Sequence, residues 1–120
     1  MIPLKILFII LLVHWIADFV CQTDWQAKNK STNNKALLEH VCVYILIWTF
    51  PSLYIFGYTP QHSIFILITF AAHFITDYFT SRLNTKLLVE NKVHNFFVSV
   101  GFDQILHYAQ LVLTYYMLVQ

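Results

Sequence analysis

Histidine and aspartate recur four residues apart in the most apolar parts of this sequence. They form three pairs: His14 with Asp18, His73 with Asp77 and, in reversed order, Asp103 with His107. Residues four apart lie on one face of an α-helix, so each pair is predicted to project from a helix in one direction. Imidazole nitrogens and carboxylate oxygens bind zinc, iron and manganese. The pattern indicates a metal site, to which His40 would add a fourth histidine.

The segments that carry these pairs have the composition of membrane helices. Of the 120 residues, 58% are apolar and 11% are charged, whereas soluble domains have about 25% charged residues. A helix needs about 20 apolar residues to cross a bilayer, and its backbone must be hydrogen-bonded internally. The sequence therefore predicts an all-α, integral membrane four-helix bundle. It is a single transmembrane domain over residues 1–120, with helices at about 2–21, 36–56, 61–80 and 93–119.

The charged residues predict how the bundle lies in the membrane. Six of the seven lysines and arginines fall in the first and third connections, and only Lys5 marks the other end. By the positive-inside rule, both connections are cytoplasmic and both termini are outside. Gly57 and Pro60 suit a tight turn between the second and third helices. The third connection, residues 81–92, is expected to lie in the interface as a short amphipathic turn.

A short internal repeat relates the first and third helices. The run that begins at His14 (His-Trp-Ile-Ala-Asp-Phe) is similar to the run that begins at His73 (His-Phe-Ile-Thr-Asp-Tyr). Both helices would run in the same direction, with the pairs near the cytoplasmic end. Two parallel helix hairpins related by an axis along the membrane normal would explain the repeat.

The depth of the pairs predicts that they meet. His14 and His73 each lie seven residues from the cytoplasmic end of their segments, and Asp103 lies ten residues from the same end of its segment, which is about 10–15 Å at 1.5 Å per residue. An unpaired aspartate at the bilayer centre costs about 2.5–3.5 kcal/mol on insertion scales. The carboxylates therefore need a protonated histidine, Arg82 or a metal ion beside them, unless they are themselves protonated.

Three interpretations of the cluster remain open. The His–Asp pairs could hold helices together by hydrogen bonds, bind a divalent metal, zinc first among the candidates, or form a proton or ion pathway. The metal interpretation is preferred, since serine, threonine or asparagine would suffice for hydrogen bonds alone. Its predicted ligands are His14, Asp18, His40, His73, Asp77, Asp103 and His107. Cys21 and Cys42 are expected to pack as small apolar side chains.

The preferred function is that of a metal-dependent hydrolase that acts on a lipid or other membrane-soluble substrate from the cytoplasmic leaflet. Asp103, His107 and Gln104 are the candidate catalytic residues. The alternative is a non-enzymatic channel, transporter or phage-encoded membrane regulator, which would require a homo-oligomer, so enzymatic activity stays open. A net charge of +1 gives no reason to expect nucleic-acid binding.

The motifs together resemble a known family. His14-x-x-x-Asp18-Phe19-x-x-Gln22, His73-x-x-x-Asp77 and Phe102-Asp103-Gln104-x-x-His107 are similar to those of small bacterial and phage membrane proteins of the domain-of-unknown-function 3307 type. The resemblance implies a multi-pass protein of the prokaryotic inner membrane, but no activity. A weaker likeness, to putative membrane-bound metal-dependent hydrolases, rests on the His-x-x-x-Asp spacing.

Overall fold

The protein is all-α, as the sequence predicts. The computed structural model describes all residues from Met1 to Gln120. Helix α1 covers Leu4–Trp15 and continues into a π-helical turn at Ile16–Val20. The remaining helices are α2 (Asp24–Asn29), α3 (Asn34–Phe56), α4 (Pro60–Val89) and α5 (Val93–Leu118).

The first connection contains a short helix, α2, that the sequence analysis did not predict. Thr23 begins it with a capping box: its hydroxyl oxygen accepts from the Gln26 backbone N–H at 3.2 Å, and the Gln26 side-chain oxygen accepts from the Thr23 N–H at 3.1 Å. These two bonds satisfy backbone donors at the helix start. The Asn33 side chain caps α3 in a similar way. Both caps fix the path of the connection across the end of the bundle.

The second connection is the tight turn that the sequence predicts. Gly57 ends α3 with a φ of 68°, a left-handed conformation that glycine adopts without steric cost. Pro60 begins α4 at a position where its missing N–H is not needed.

The third connection differs from the prediction. Residues 81–89 do not form a separate interfacial turn, because α4 continues without interruption to Val89. This stretch has no glycine or proline, and its leucine, lysine and arginine residues favour helix. The chain reverses only at Asn91, which has a positive φ of 56°. At 1.5 Å per residue the 30-residue helix is about 45 Å long, which exceeds the thickness of a hydrocarbon core of about 30 Å.

Three helices, α3, α4 and α5, are long and apolar enough to cross a membrane. Their outer surfaces carry large exposed apolar side chains, for example Phe50, Leu67 and Phe97, each at least 66% exposed. Exposed apolar surface of this extent is typical of contact with lipid. Helix α1 and its π turn have 12 and 5 residues, which is shorter than the predicted first helix.

The interior of the bundle is divided between an apolar half and a polar half. The apolar cluster includes Trp48, Tyr44, Phe65 and Leu111, and all four are almost fully buried. Yet 12 of the 22 buried residues are polar or charged, although such residues are mostly exposed in proteins. The polar half, which lies toward the lysine-rich connections, contains the candidate site.

Candidate metal centre

The buried polar half brings the predicted ligands together from four elements. The π turn provides Asp18, α3 provides His40, α4 provides His73 and Asp77, and α5 provides Asp103 and His107. Each of these residues is at most 8% exposed. Helical spacing therefore placed the side chains correctly toward the interior, including the reversed pair on α5.

Four of these residues converge on one point. The converging atoms are Asp18 Oδ1, His40 Nε2, His73 Nε2 and Asp77 Oδ2, all within 4.8 Å of one another. His40 Nε2 lies 3.0 Å from the Asp18 oxygen, 3.3 Å from the Asp77 oxygen and 3.2 Å from His73 Nε2. His73 Nε2 lies 3.4 Å from the Asp18 oxygen and 3.6 Å from the Asp77 oxygen. We call these four residues the tetrad.

The size of the tetrad matches a tetrahedral metal site. Zinc binds histidine nitrogen and carboxylate oxygen at about 2.0–2.2 Å. In a regular tetrahedron this distance separates neighbouring ligand atoms by about 3.4 Å. Five of the six separations in the tetrad are between 3.0 and 3.6 Å. Two nitrogens and two oxygens at these distances are a donor set for a small divalent cation.

A second group of possible ligands adjoins the tetrad. Asp18, Asp103 and His107 also have ligand atoms within 4.8 Å of one another. His107 Nε2 lies 3.1 Å from Asp77 Oδ1 and 3.3 Å from Asp103 Oδ1. Asp18 is common to both groups, and Asp77 directs one oxygen toward the tetrad and the other toward His107. The arrangement therefore has room for a second ion bridged by carboxylates.

His14, a predicted ligand, lies outside both groups. Its Nε2 is 2.8 Å from Gln104 Oε1 and its Nδ1 is 2.8 Å from the Tyr44 hydroxyl. Because an amide oxygen only accepts, His14 donates from Nε2 and accepts the Tyr44 proton at Nδ1. Gln104 in turn donates to Asp103 Oδ2 at 3.1 Å. With both nitrogens engaged, His14 supports the ligands through Gln104, and Gln104 itself orients a carboxylate.

Ring stacking holds His73 in place. Its ring centroid lies 3.8 Å from that of Tyr44 on one side and 4.3 Å from that of His107 on the other, with both pairs stacked. The Nδ1 atoms of His73 and His40 have no hydrogen-bond partner. In most metal sites the second nitrogen of a histidine ligand is hydrogen-bonded. Packing replaces that hydrogen bond at His73.

A lysine that the sequence analysis assigned only to the membrane surface enters the site. Lys30 Nζ lies 2.7 Å from Asp77 Oδ2, and its side chain is 18% exposed. Burial alone would lower the pKa of Lys30, but the carboxylates of Asp77 and Asp18 outweigh burial and raise the pKa. Arg82, one of three cations considered for the cluster, instead donates to the Tyr78 carbonyl and to Asn34. Nothing in the sequence separates Lys30 from the other lysines of the connections.

The two cysteines and the remaining histidines do not belong to the site. Cys21 and Cys42 are free thiols, and Cys42 is exposed on α3 and not packed in the core. His62 pairs with the Ser52 hydroxyl at 2.9 Å at the opposite end of the bundle. His94 is exposed at the start of α5. The site is therefore built from histidine and aspartate without sulfur.

Residues 6–120 match the family described as "Protein of unknown function (DUF3307)". The chain belongs to this family. The match covers nearly the whole chain, including every residue of the site, and confirms the resemblance found from the His/Asp motifs. No curated protein and no solved structure matches the chain. The family description assigns no activity.

Proposed function

We propose that this protein binds a divalent metal ion, most favourably zinc, in the tetrad of Asp18, His40, His73 and Asp77. The observation that carries the proposal is the set of five ligand separations between 3.0 and 3.6 Å. Two imidazole nitrogens lie 3.2 Å apart, and two carboxylates lie beside them. Together they form a set of neutral and negatively charged metal ligands. A cation satisfies all four atoms together.

The metal site lies in a membrane-embedded bundle of four crossings. Three spans have adequate length, and α1 with its π turn supplies a fourth of 17 residues, or about 25 Å. A helix of this length spans a bilayer with slight local thinning. The lysine-rich end is cytoplasmic and both termini are outside, by the asymmetry of lysine and arginine.

Cysteine labelling tests this orientation. In a variant without native cysteines, Lys86→Cys at the lysine-rich end is expected to be protected from an impermeant thiol reagent in intact cells. Tyr58→Cys in the opposite turn, where Tyr58 is 96% exposed, is expected to react. Labelling of Lys86→Cys from outside would reverse the topology.

The chemistry that suits this site is hydrolysis of an ester or phosphoester in a membrane-soluble substrate. A bound divalent ion activates water and polarises the substrate oxygen. The Asp103 side chain, at 12% exposed, is the most accessible of the three carboxylates. Gln104 donates to Asp103 Oδ2 at 3.1 Å, and His107 Nε2 lies 3.3 Å from Asp103 Oδ1. In this proposal Asp103 accepts a proton from water, and His107 stabilises the charge of Asp103.

Elemental analysis tests the metal proposal. Protein purified without a metal-affinity step should contain about one or two equivalents of a divalent transition metal, because zinc-type donors bind tightly when preformed. The double variant Asp18→Ala/Asp77→Ala should contain none, whereas the control Asp24→Ala, an exposed aspartate of α2, should match the wild type. A metal-free wild type whose stability is unchanged by chelator would reject the metal site.

One observation favours a second function, a proton pathway without metal. Polar contacts run without interruption from Tyr44 through His14, Gln104, Asp103 and His107 to Asp77 and Lys30. Chains of this kind carry protons in membrane proteins. Proton flux into liposomes that contain metal-free protein, abolished by Gln104→Leu, would favour this function over the hydrolase.

A further inference from the structure

A cavity lies beside the tetrad at the lysine-rich end of the bundle. It has a volume of about 230 Å³ and lies between α2, α4 and α5. Lys30 lines it, and the Lys30 ammonium also contacts Asp77 Oδ2. Ser81, another lining residue, follows Asp77 by one helical turn on α4. The cavity and the tetrad therefore share a wall.

The polar lining of this cavity has unused hydrogen-bonding capacity. Ser81 is buried, with 7% of its surface exposed, and its hydroxyl has no hydrogen-bond partner. The side-chain oxygen of Asn84 also has no partner. An ammonium group has three donors, and Lys30 uses one of them, on Asp77. Buried polar groups in native proteins nearly always have partners, and a polar ligand in the cavity would provide partners for these groups.

The donors favour an anionic ligand. The lining contains one lysine and no aspartate or glutamate. The Lys30 ammonium, the Ser81 hydroxyl and the amide of Asn84 (by rotation of its terminal torsion) can all donate toward one group. A phosphate provides several acceptor oxygens for such donors, and charge-assisted hydrogen bonds are the stronger kind.

The apolar lining favours a ligand with a hydrocarbon chain. Four of the nine lining residues are apolar, among them Leu88 of α4 and Phe96 and Val100 of α5. Leu88 is 50% exposed, so the apolar lining continues onto the outer surface of the bundle, where Phe97 is 66% exposed. A hydrocarbon chain would leave the cavity along these side chains.

We infer that this cavity binds the phosphate head group of a single-chain or double-chain amphiphile, with Lys30, Ser81 and Asn84 as its ligands. The inference rests on the proposed function in one respect, since it places the head group next to the metal site as substrate or product. A cation held by the tetrad would repel the Lys30 ammonium, which lies 2.7 Å from Asp77 Oδ2. Lys30 would then be free to donate to the head group, so metal and amphiphile would favour each other's binding.

Binding of dodecyl phosphate to the full-length protein in dodecyl maltoside tests the inference. One site is expected, with affinity weakened about tenfold by Ser81→Ala and by Lys30→Met, each of which removes a donor to a charged group. The matched controls are Ser99→Ala and Lys28→Met, which lie outside the cavity and should bind as the wild type does. Dodecyl phosphocholine, whose head group carries a balancing cation, should bind more weakly.

The competing outcomes are distinguishable. If inorganic phosphate bound this site as tightly as dodecyl phosphate does, the cavity would be a site for free anions, and the proposal of an amphiphile would be wrong. Unchanged dodecyl phosphate binding in Ser81→Ala would show that the head group does not bind in this cavity. Because Ser81→Ala deletes an unpartnered hydroxyl, its melting temperature should not fall, which separates a binding defect from misfolding. Normal metal content without dodecyl phosphate binding would reject this inference alone. Dodecyl phosphate binding by a wild type that elemental analysis finds metal-free as purified would reject the proposed function alone.

Discussion

The two His-x-x-x-Asp motifs have the same spacing but different surroundings. His14 Nε2 lies 3.6 Å from Asp18 Oδ2 in α1, and His73 Nε2 lies 3.6 Å from Asp77 Oδ2 in α4. His14 faces Gln104, to which it donates, whereas His73 faces His40. Both aspartates enter the tetrad, but only one histidine does. Spacing brings a pair to the interior, and the residue opposite it decides whether the histidine is free to bind a metal.

The backbone around the two motifs also differs. Asp18 lies in a π-helical turn, where the Cys21 N–H donates to the Ile16 carbonyl at 2.9 Å, whereas Asp77 lies in an uninterrupted α-helix. A π turn holds one more residue than an α turn and is often found at functional sites. Here it ends α1 at the point where Asp18 meets His40. The two His-x-x-x-Asp motifs therefore differ in backbone conformation as well as in side-chain contacts.

The largest expected effect separates the two histidines. His73→Gln removes a ligand of the tetrad, and zinc affinity should fall by more than about 100-fold. His14→Gln keeps a hydrogen-bonding side chain near Gln104, and affinity should fall by no more than the roughly 10–100-fold typical of supporting residues. Competition with a zinc chelator measures both, and His62→Gln, at the opposite end of the bundle, serves as the unaffected control. Equal losses for the two variants would contradict the distinction between the motifs.

A smaller change in zinc affinity, in the opposite direction, is expected at Lys30, which contacts Asp77 of the His73-x-x-x-Asp77 motif. Removing its charge in Lys30→Met leaves Asp77 without a cation, so the metal-free protein should melt at a lower temperature. Zinc affinity should rise by about tenfold or more, because two cations near one oxygen repel each other. Lys28→Met, exposed on the same connection, should change neither quantity. A fall in zinc affinity would show that Lys30 supports the metal and does not compete with it.

The pH dependence of the metal-free protein follows from the same contact. The pKa of Lys30 is raised in the folded state above its ordinary value of 10.5. The stability contributed by its charge is therefore fully present below the unfolded pKa and is lost as the pH rises through the folded one. The difference in melting temperature between wild type and Lys30→Met should be constant near neutral pH and shrink in strong alkali.

The sequence predicted the helices and the inward-facing pairs because both follow from local rules. Residues four apart share a helix face whatever the tertiary structure, so Asp103 and His107 were found as readily as His73 and Asp77. The hydrogen bonds of His14 to Tyr44 and Gln104 depend on contacts between α1, α3 and α5, which no local pattern encodes. The residues that flank Lys30 in the sequence are polar and do not set it apart from the other lysines of the connections. Only the path of the chain after α2 directs the Lys30 side chain inward. The length of α4 was underestimated because its last turns are polar but still favour helix.

X-ray absorption spectroscopy of the zinc-loaded protein tests the central claim most directly. The account predicts four nitrogen or oxygen neighbours at about 2.0–2.2 Å, of which two are imidazoles. The imidazole signal should fall to one in His73→Gln and stay at two in His14→Gln. A sulfur neighbour near 2.3 Å, or an imidazole signal lost in His14→Gln and kept in His73→Gln, would contradict the assignment of the tetrad.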